Sequence, residues 1–380
     1  MPRCQQRIRT RPEIADSMRD PDPARGKLLT VLFWAAMLAI PMVGMVVGIG
    51  FTSYWTIPRF RVIAEGDPLF AFDPETGYIA RPSSSTKWTV LGANNEPMFQ
   101  YHVYTDQRGA RVSSPGRRSP DQVDILVLGD SFAWGHGVEN EDTFASRTIA
   151  ALGGSGVNLA LASYGTTQSL QLLRRHRSLA PKLVIFTLLQ DHLWRNVSAC
   201  TRSAYPFCMD TAHVTWDGQG RPYIAGPWSN GVARLRLQML ADRQGLDPWT
   251  WIVHGLDVAV ARIRSETANA TALDKAKQNA ALAFLIEQIA LTTREMHAAL
   301  LVVFLPDESM ALPPELLANS AARLGYAFLD LRPVFMRIDE SARRALYLKN
   351  DGHPSAAGHA LIARELIAFI RSSRLLTSDP

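Results

Sequence analysis

The chain has 380 residues, 47% hydrophobic and 20% charged, a balance that excludes whole-chain disorder and collagen-like repeats. Its 23 Pro and 25 Gly leave no room for a coiled-coil rod, and the length suits one large domain or two modest ones. Net charge is +5, but residues 1–27 hold seven of the cations against four acids, so the remainder is nearly neutral and nucleic acid is excluded as the main partner.

Residues 1–27 read as a basic tail. Leu28–Phe51 is an uncharged apolar run, long enough to cross a hydrocarbon core of roughly 30 Å at about 1.5 Å per residue. Pro41, Gly44, Gly48 and Gly50 are tolerated in membrane helices, and Tyr54 and Trp55 fall where an aromatic belt sits. A soluble core helix rarely stays uncharged this long, and no A-x-A cleavage pattern marks a signal peptide. The expectation is an uncleaved anchor through the bacterial inner membrane at residues 28–51. The basic tail then lies in the cytoplasm and the rest in the periplasm or outside the cell. An oxidising compartment permits a Cys200–Cys208 disulfide, with two free thiols as the alternative.

Residues 52–120 read as a stalk and a small β-rich preamble, with strands expected near Lys87–Val90 and Tyr101–Asp106. Residues 121–380 read as an α/β domain. Apolar runs predict buried parallel strands at Val123–Gly129, Val157–Ala162, Leu183–Leu189, Leu300–Pro306 and Tyr326–Leu331. Helices are expected at about 143–152, 166–179, 273–297, 314–324 and 355–372, the last capped by Ser355. Strand–helix alternation implies right-handed crossovers and a parallel sheet. Residues 196–270, rich in Trp and Tyr, read as an insertion with a small aromatic core; sugar stacking is the other use of such residues.

Two motifs stand at opposite ends of this body. LGDSF ends the first strand at Ser131, and LKNDGHP precedes the last helix with Asp351 and His353. Active crevices of open parallel sheets lie at the carboxyl ends of the strands, where these segments can meet. A serine needs a base to take its proton, and the histidine needs a carboxylate to hold its tautomer. Alone, each motif is only a turn or a surface loop; together, in this order, they point to catalysis.

Gly129–Phe132 and Asp351–Pro354 resemble the first and last blocks of the SGNH (GDSL-type) hydrolases. The resemblance spans roughly residues 121–372 and implies a flavodoxin-like three-layer α/β/α fold. It also implies an esterase, lipase, thioesterase or carbohydrate O-acyl hydrolase or transferase, needing no cofactor. By resemblance Ser131 is the nucleophile, His353 the base and Asp351 its orienter. The oxyanion hole is then formed by Ser131, Ser163 and Gln190. The last two depart from the family pattern, with Ser163 standing for a glycine and Gln190 for an asparagine. The family's usual spacing is Asp-x-x-His, whereas Asp351-x-His353 is similar to alginate-acetylation-type SGNH proteins.

Asp130, Gly165, His192 and Arg195 are expected near the pocket, with a solvated loop as the alternative for the last two. His136 is expected as a pocket wall or cap, and His359 as a surface or packing histidine. No metal-ligand pattern, Walker loop or dinucleotide fingerprint is apparent. The combined expectation is a tethered, exported serine esterase or O-acetyltransferase. Its substrate would be an acylated carbohydrate of the envelope or of an exported polysaccharide, and its partners polysaccharide-assembly proteins. Two other readings are a weakly active scaffold subunit, suggested by Ser163 and Gln190, and a lipid-directed esterase or thioesterase.

Overall fold

A computed structural model describes residues 23–56, 62–92, 96–201, 209–227, 274–311 and 313–376. Cys208, Tyr205, Trp228, Trp249, Trp251 and the basic tail before Pro23 lie outside the described residues, and with them the expected disulfide and most of the aromatic insertion.

Helix α1 (Pro23–Thr56) contains Pro41 and is longer than the apolar run at both ends. Within it, the 23 residues Gly26–Gly48 have a mean hydropathy of 2.2 and none is buried, so the helix is long and apolar enough to cross a membrane. Next come strands β1 (Val62–Gly66), β2 (Phe70–Asp73), β3 (Gly77–Ala80), β4 (Ser85–Leu91), β5 (Pro97–Thr105) and β6 (Arg111–Val112). Strands β1, β4, β5 and β6 form one antiparallel sheet in that order, and β2 and β3 form a hairpin. In β4 and β5 alternate side chains are buried, as a sheet with one covered face requires.

This sheet and hairpin form the β-rich preamble, and they pack on the body. Tyr78, Trp88, Tyr101 and Val103 belong to one contiguous core with Ile125, Val127 and Phe186 of the α/β body. The Tyr78 hydroxyl donates to Ala162 O at 2.8 Å, and the Tyr164 hydroxyl donates to Tyr78 O at 2.7 Å. Arg175 pairs with Asp73 at 2.8 Å. Each bond joins the preamble to loops or helices that follow the body's strands.

The body begins with β7 (Ile125–Leu128) and continues through α2 (Ser131–Trp134), α3 (Phe144–Ala151), β8 (Gly156–Asn158), α4 (Thr166–Arg175), β9 (Leu183–Leu188) and α5 (His192–Arg195). Two short hairpins follow: β10 (Cys200–Thr201) with β11 (Met209–Asp210), and β12 (His213–Trp216) with β13 (Pro222–Ala225). The chain then forms α6 (Lys275–Glu295), β14 (Ala299–Phe304), α7 (Glu315–Leu324), β15 (Ala327–Asp330), α8 (Arg332–Met336), α9 (Glu340–Arg344) and α10 (Ala356–Ser372). Strands β7, β8, β9, β14 and β15 form a wholly parallel sheet ordered β15-β14-β9-β7-β8. Counted in chain order within the body this is 2-1-3-4-5, the flavodoxin-like winding. Every residue of β7 and β9 is buried, which explains their near-continuous apolar sequence; the one polar side chain, Thr187, donates to Leu128 O. Right-handed crossovers send α3 and α4 to opposite faces; α3 packs against α10, and α4 against α6.

Two expected elements are shorter or divided, and two short helices are new. β8 is short: past Asn158, whose side chain accepts from Ala160 N and donates to Ala133 O, Leu159 N and Leu161 N bond to Val127 O and Gly129 O but the regular pairing ends. α4 stops at Arg175, and a 3₁₀ turn at Arg177–Leu179 leads into Ala180 at φ +43° before Pro181. Helices α8 and α9 were not anticipated; they are five residues each, too short to show a period.

His359 lies wholly inside, not on the surface. Its Nδ1 accepts from Phe144 N at 3.1 Å and its ring stacks on that of Phe144. Burial, then the charges of Arg111, His353 and Arg147, push it down to about 3. Unfolded, it titrates near the ordinary histidine value of about 6.5. As pH falls through that value the unfolded chain takes a proton that the folded chain refuses, so stability falls. Between about pH 6.5 and pH 5 the loss is about 2 kcal/mol from this group. Denaturant midpoints at pH 7.5 and 5.0 check it: His359→Asn should show a pH dependence shallower by about that amount.

Candidate active site

The crevice lies at the carboxyl ends of β7 and β9, the switch point of the winding. Gly129 leaves β7 at φ +152°, and a Cβ there would stand 2.2 Å from Thr187 Oγ1. Only glycine allows this sharp exit. Asp130 then caps α2, accepting from Phe132 N at 3.0 Å, which presents Ser131 on the first residue of the helix.

The second segment is a tight loop closed by Leu348 N donating to His353 O at 2.7 Å. Asn350 at φ +61° and Gly352 at φ +84° reverse the chain. This folds the side chain of His353 back onto Asp351, two residues earlier. Asp351 Oδ1 accepts from His353 N at 3.3 Å and meets His353 Nδ1 at 2.5 Å. The short Asp-x-His spacing is thus accommodated by a left-handed glycine. His353 Nε2 reaches Ser131 Oγ at 2.8 Å. The structure therefore brings Ser131, His353 and Asp351 into one hydrogen-bonded chain, and the side chains of the last two remain about one-fifth exposed.

Burial works against charge on Asp351, but His136, then His353, outweigh it and hold the carboxyl well below the usual range. Asp351 thus stays ionised at any pH where the site works. With a carboxylate at Nδ1, the proton of neutral His353 sits on that nitrogen, and Nε2 is free to accept from the serine.

The backbone N–H groups of Ser131 and Ser163 donate to no protein acceptor among the described residues. Ser163 adopts φ +70°, the left-handed conformation that a glycine at this point of the chain takes without strain. Gln190 follows β9, with its Oε1 buried and unpartnered. If the backbone at Ser163 is the donor, Ser163→Ala and Ser163→Gly should both keep kcat within about threefold. A loss of about 10²–10³ would assign the work to the Ser163 hydroxyl instead.

Asp130, Gly165, His192 and Arg195 are buried beside the nucleophile turn. The solvated-loop alternative for His192 and Arg195 is thereby corrected. Arg195 Nη1 reaches Asp130 Oδ2 and Tyr164 O, both at 3.2 Å, and Nη2 reaches Asp191 Oδ2 at 3.0 Å. It ties the nucleophile turn to the Ser163 loop. His192 Nδ1 pairs with Thr166 Oγ1 at 3.2 Å, and its Nε2 stands 3.5 Å from Asp130 Oδ2. Burial outweighs that carboxylate and lowers His192, so Arg195 supplies the cation for Asp130. Gly165 leaves room for Asn196, whose Oδ1 would lie 2.9 Å from a Cβ there and accepts from Thr166 N.

Among the described residues, one group of three could hold a metal ion by proximity: His136, Asp351 and His353, with donor atoms within 4.8 Å of one another. Asp351 and His353 are already committed to each other and to Ser131, so this is the reactive centre itself.

No protein-family model matches the sequence, and no curated protein matches it. Solved structures do. A GDSL-like lipase from Bacteroides thetaiotaomicron is 10% identical, covering 66% of this chain and 88% of its own, with a TM-score of 0.33. The psychrotrophic esterase EstA from Pseudoalteromonas is 12% identical, covering 66% and 97%, with a TM-score of 0.34. A family two carbohydrate esterase from Clostridium thermocellum, solved with cellohexaose, is 13% identical, covering 82% and 99%, with a TM-score of 0.37. At such identities nothing about substrate passes from them to this chain. The chain itself carries a parallel sheet of flavodoxin-like 2-1-3-4-5 winding, with a serine at the end of its first strand and an aspartate–histidine pair ahead of its last helix.

Proposed function

We propose that the chain is a serine esterase working through an acyl-enzyme. One observation carries this: His353 Nε2 is 2.8 Å from Ser131 Oγ while its Nδ1 is held by Asp351. Ser131 Oγ attacks the ester carbonyl as its proton passes to His353 Nε2. The C–O bond to the alcohol breaks, and the leaving oxygen takes that proton. Water, or a sugar hydroxyl, then attacks the acyl-serine, with His353 again taking and returning the proton. The N–H groups of Ser131 and Ser163, with Gln190, are the donors available to the oxyanion.

Helix α1 is read as an inner-membrane anchor with residues 1–27 in the cytoplasm, which puts the site outside the membrane. A tethered site there favours acetyl esters of envelope or exported polysaccharide over soluble metabolites. An alkaline phosphatase fused to the C-terminus should be active if this orientation holds.

The test uses the full chain in detergent with p-nitrophenyl acetate and p-nitrophenyl octanoate. Hydrolysis that prefers acetyl and vanishes in Ser131→Ala supports the reading; preference for octanoyl makes it a lipid-directed esterase. Faster p-nitrophenol release when a soluble oligosaccharide is added marks a transferase. Hydrolysis that ignores Ser131 leaves only the scaffold reading.

A further inference from the structure

The described residues place a second imidazole beside Asp351, one that the triad does not use. His136 follows the nucleophile helix in sequence, and its ring centroid is 4.4 Å from that of His353. Its Nε2 stands 3.7 Å from Asp351 Oδ2, the oxygen that does not bond His353. That is a close electrostatic contact rather than a hydrogen bond.

The opposite nitrogen is fixed from outside the body. His136 Nδ1 meets the Tyr101 hydroxyl of β5 at 2.8 Å. A carboxylate faces Nε2, so the proton sits there, Nδ1 is bare, and the Tyr101 hydroxyl donates to it. The ring is walled by the edges of Trp88 (β4), Phe99 and Tyr101 (β5). Burial, then the charges of His353 and Arg111, outweigh Asp351 and lower His136, so it is neutral where the site works. These groups, with Tyr101, are the titratable and charged ones that face it.

Arg111 of β6 holds the backbone around it. Its guanidinium is buried and donates to Trp134 O, Gly135 O and Val138 O at 2.5–2.6 Å. Three carbonyls of the turn that carries His136 thus close on one arginine of the preamble.

We propose that His136, set by Tyr101, is a positioning residue that holds the outer oxygen of Asp351 and so keeps the carboxylate aimed at His353. The N-terminal sheet is then part of the catalytic apparatus rather than a spacer. The inference rests on the esterase reading above.

Tyr101→Phe and His136→Leu, in the full chain in detergent, test it. In His136→Leu the uncompensated charge on Oδ2 increases the proton affinity of His353. The acid limb of kcat/KM therefore moves to higher pH. Its kcat on p-nitrophenyl acetate falls about tenfold or more while KM stays within about twofold. Tyr101→Phe keeps the ring and shows the same changes at smaller size. His136→Gln, which can still offer an N–H to Asp351, recovers part of the rate. Nitrogen-15 histidine spectra follow His353 protonation whether or not the chain turns over, and must shift in the same direction. Variants with wild-type kcat and an unmoved acid limb overturn the proposal. So does a lower melting temperature with unmoved His353 spectra, which marks a purely structural role. A wild-type chain without Ser131-dependent hydrolysis defeats the esterase reading instead, and the spectra then still decide the positioning claim.

Discussion

Asp351→Asn should lower kcat on p-nitrophenyl acetate by about 10⁴-fold while the chain stays folded. The reason is the tautomer. Asp351 Oδ1 accepts the His353 Nδ1 proton at 2.5 Å, leaving Nε2 bare toward Ser131. An amide at residue 351 can turn its NH₂ toward Nδ1, which moves the imidazole proton to Nε2. That nitrogen then donates to the serine and has no lone pair to accept its proton. Nothing need move for this to occur, so circular dichroism and melting temperature separate it from misfolding. A loss under about tenfold would mean that Asp351 does not set the tautomer.

Arg195→Met should destabilise the fold by about 3–5 kcal/mol, one of the largest effects of any single change in the body. Asp130 is wholly buried and Arg195 is 8% exposed, so solvent screens the pair little. Removing the guanidinium leaves a carboxylate whose other side-chain neighbour, His192, is neutral, and it also frees Tyr164 O. A melting temperature lower by about 10 °C or more is expected. Asp130→Asn with Arg195→Met should cost clearly less than Arg195→Met alone, because the amide can still cap α2 without a buried charge. Equal losses in the single and double variants would contradict the pairing.

The parts legible in the sequence are those written in local patterns. β7 and β9 are almost wholly apolar runs, α6 buries Leu282, Leu285, Ile286 and Ile289 on one face, and Ser355 caps α10 by accepting from Gly358 N. The order of those elements was enough to expect Ser131 and His353 in one cleft, since both follow strands whose carboxyl ends share an edge of the molecule.

What lay beyond reach depends on contacts between segments without a period of their own. The residues before Pro120 are rich in Pro, Gly and Ser and read as a stalk and a small β-rich preamble, with no sign that they touch the site. Yet Tyr101 and Arg111 reach the His136 turn across 35 and about two dozen residues of chain. Asp130 and Arg195 are 65 positions apart, and no local pattern shows that an aspartate beside the nucleophile needs a buried cation. A signal was present in retrospect: Arg195 sits among Leu193, Asn196 and Val197, a setting more apolar than a solvated loop.

The central claim is that Ser131 is an activated nucleophile. Incubating the full chain with a fluorophosphonate and locating the adduct by peptide mass spectrometry tests it most directly. One adduct is expected, on Ser131, absent from Ser131→Ala and formed at least about 10²-fold more slowly in His353→Ala. Labelling that proceeds unchanged in Ser131→Ala, or a folded wild-type chain that takes no label, would contradict it.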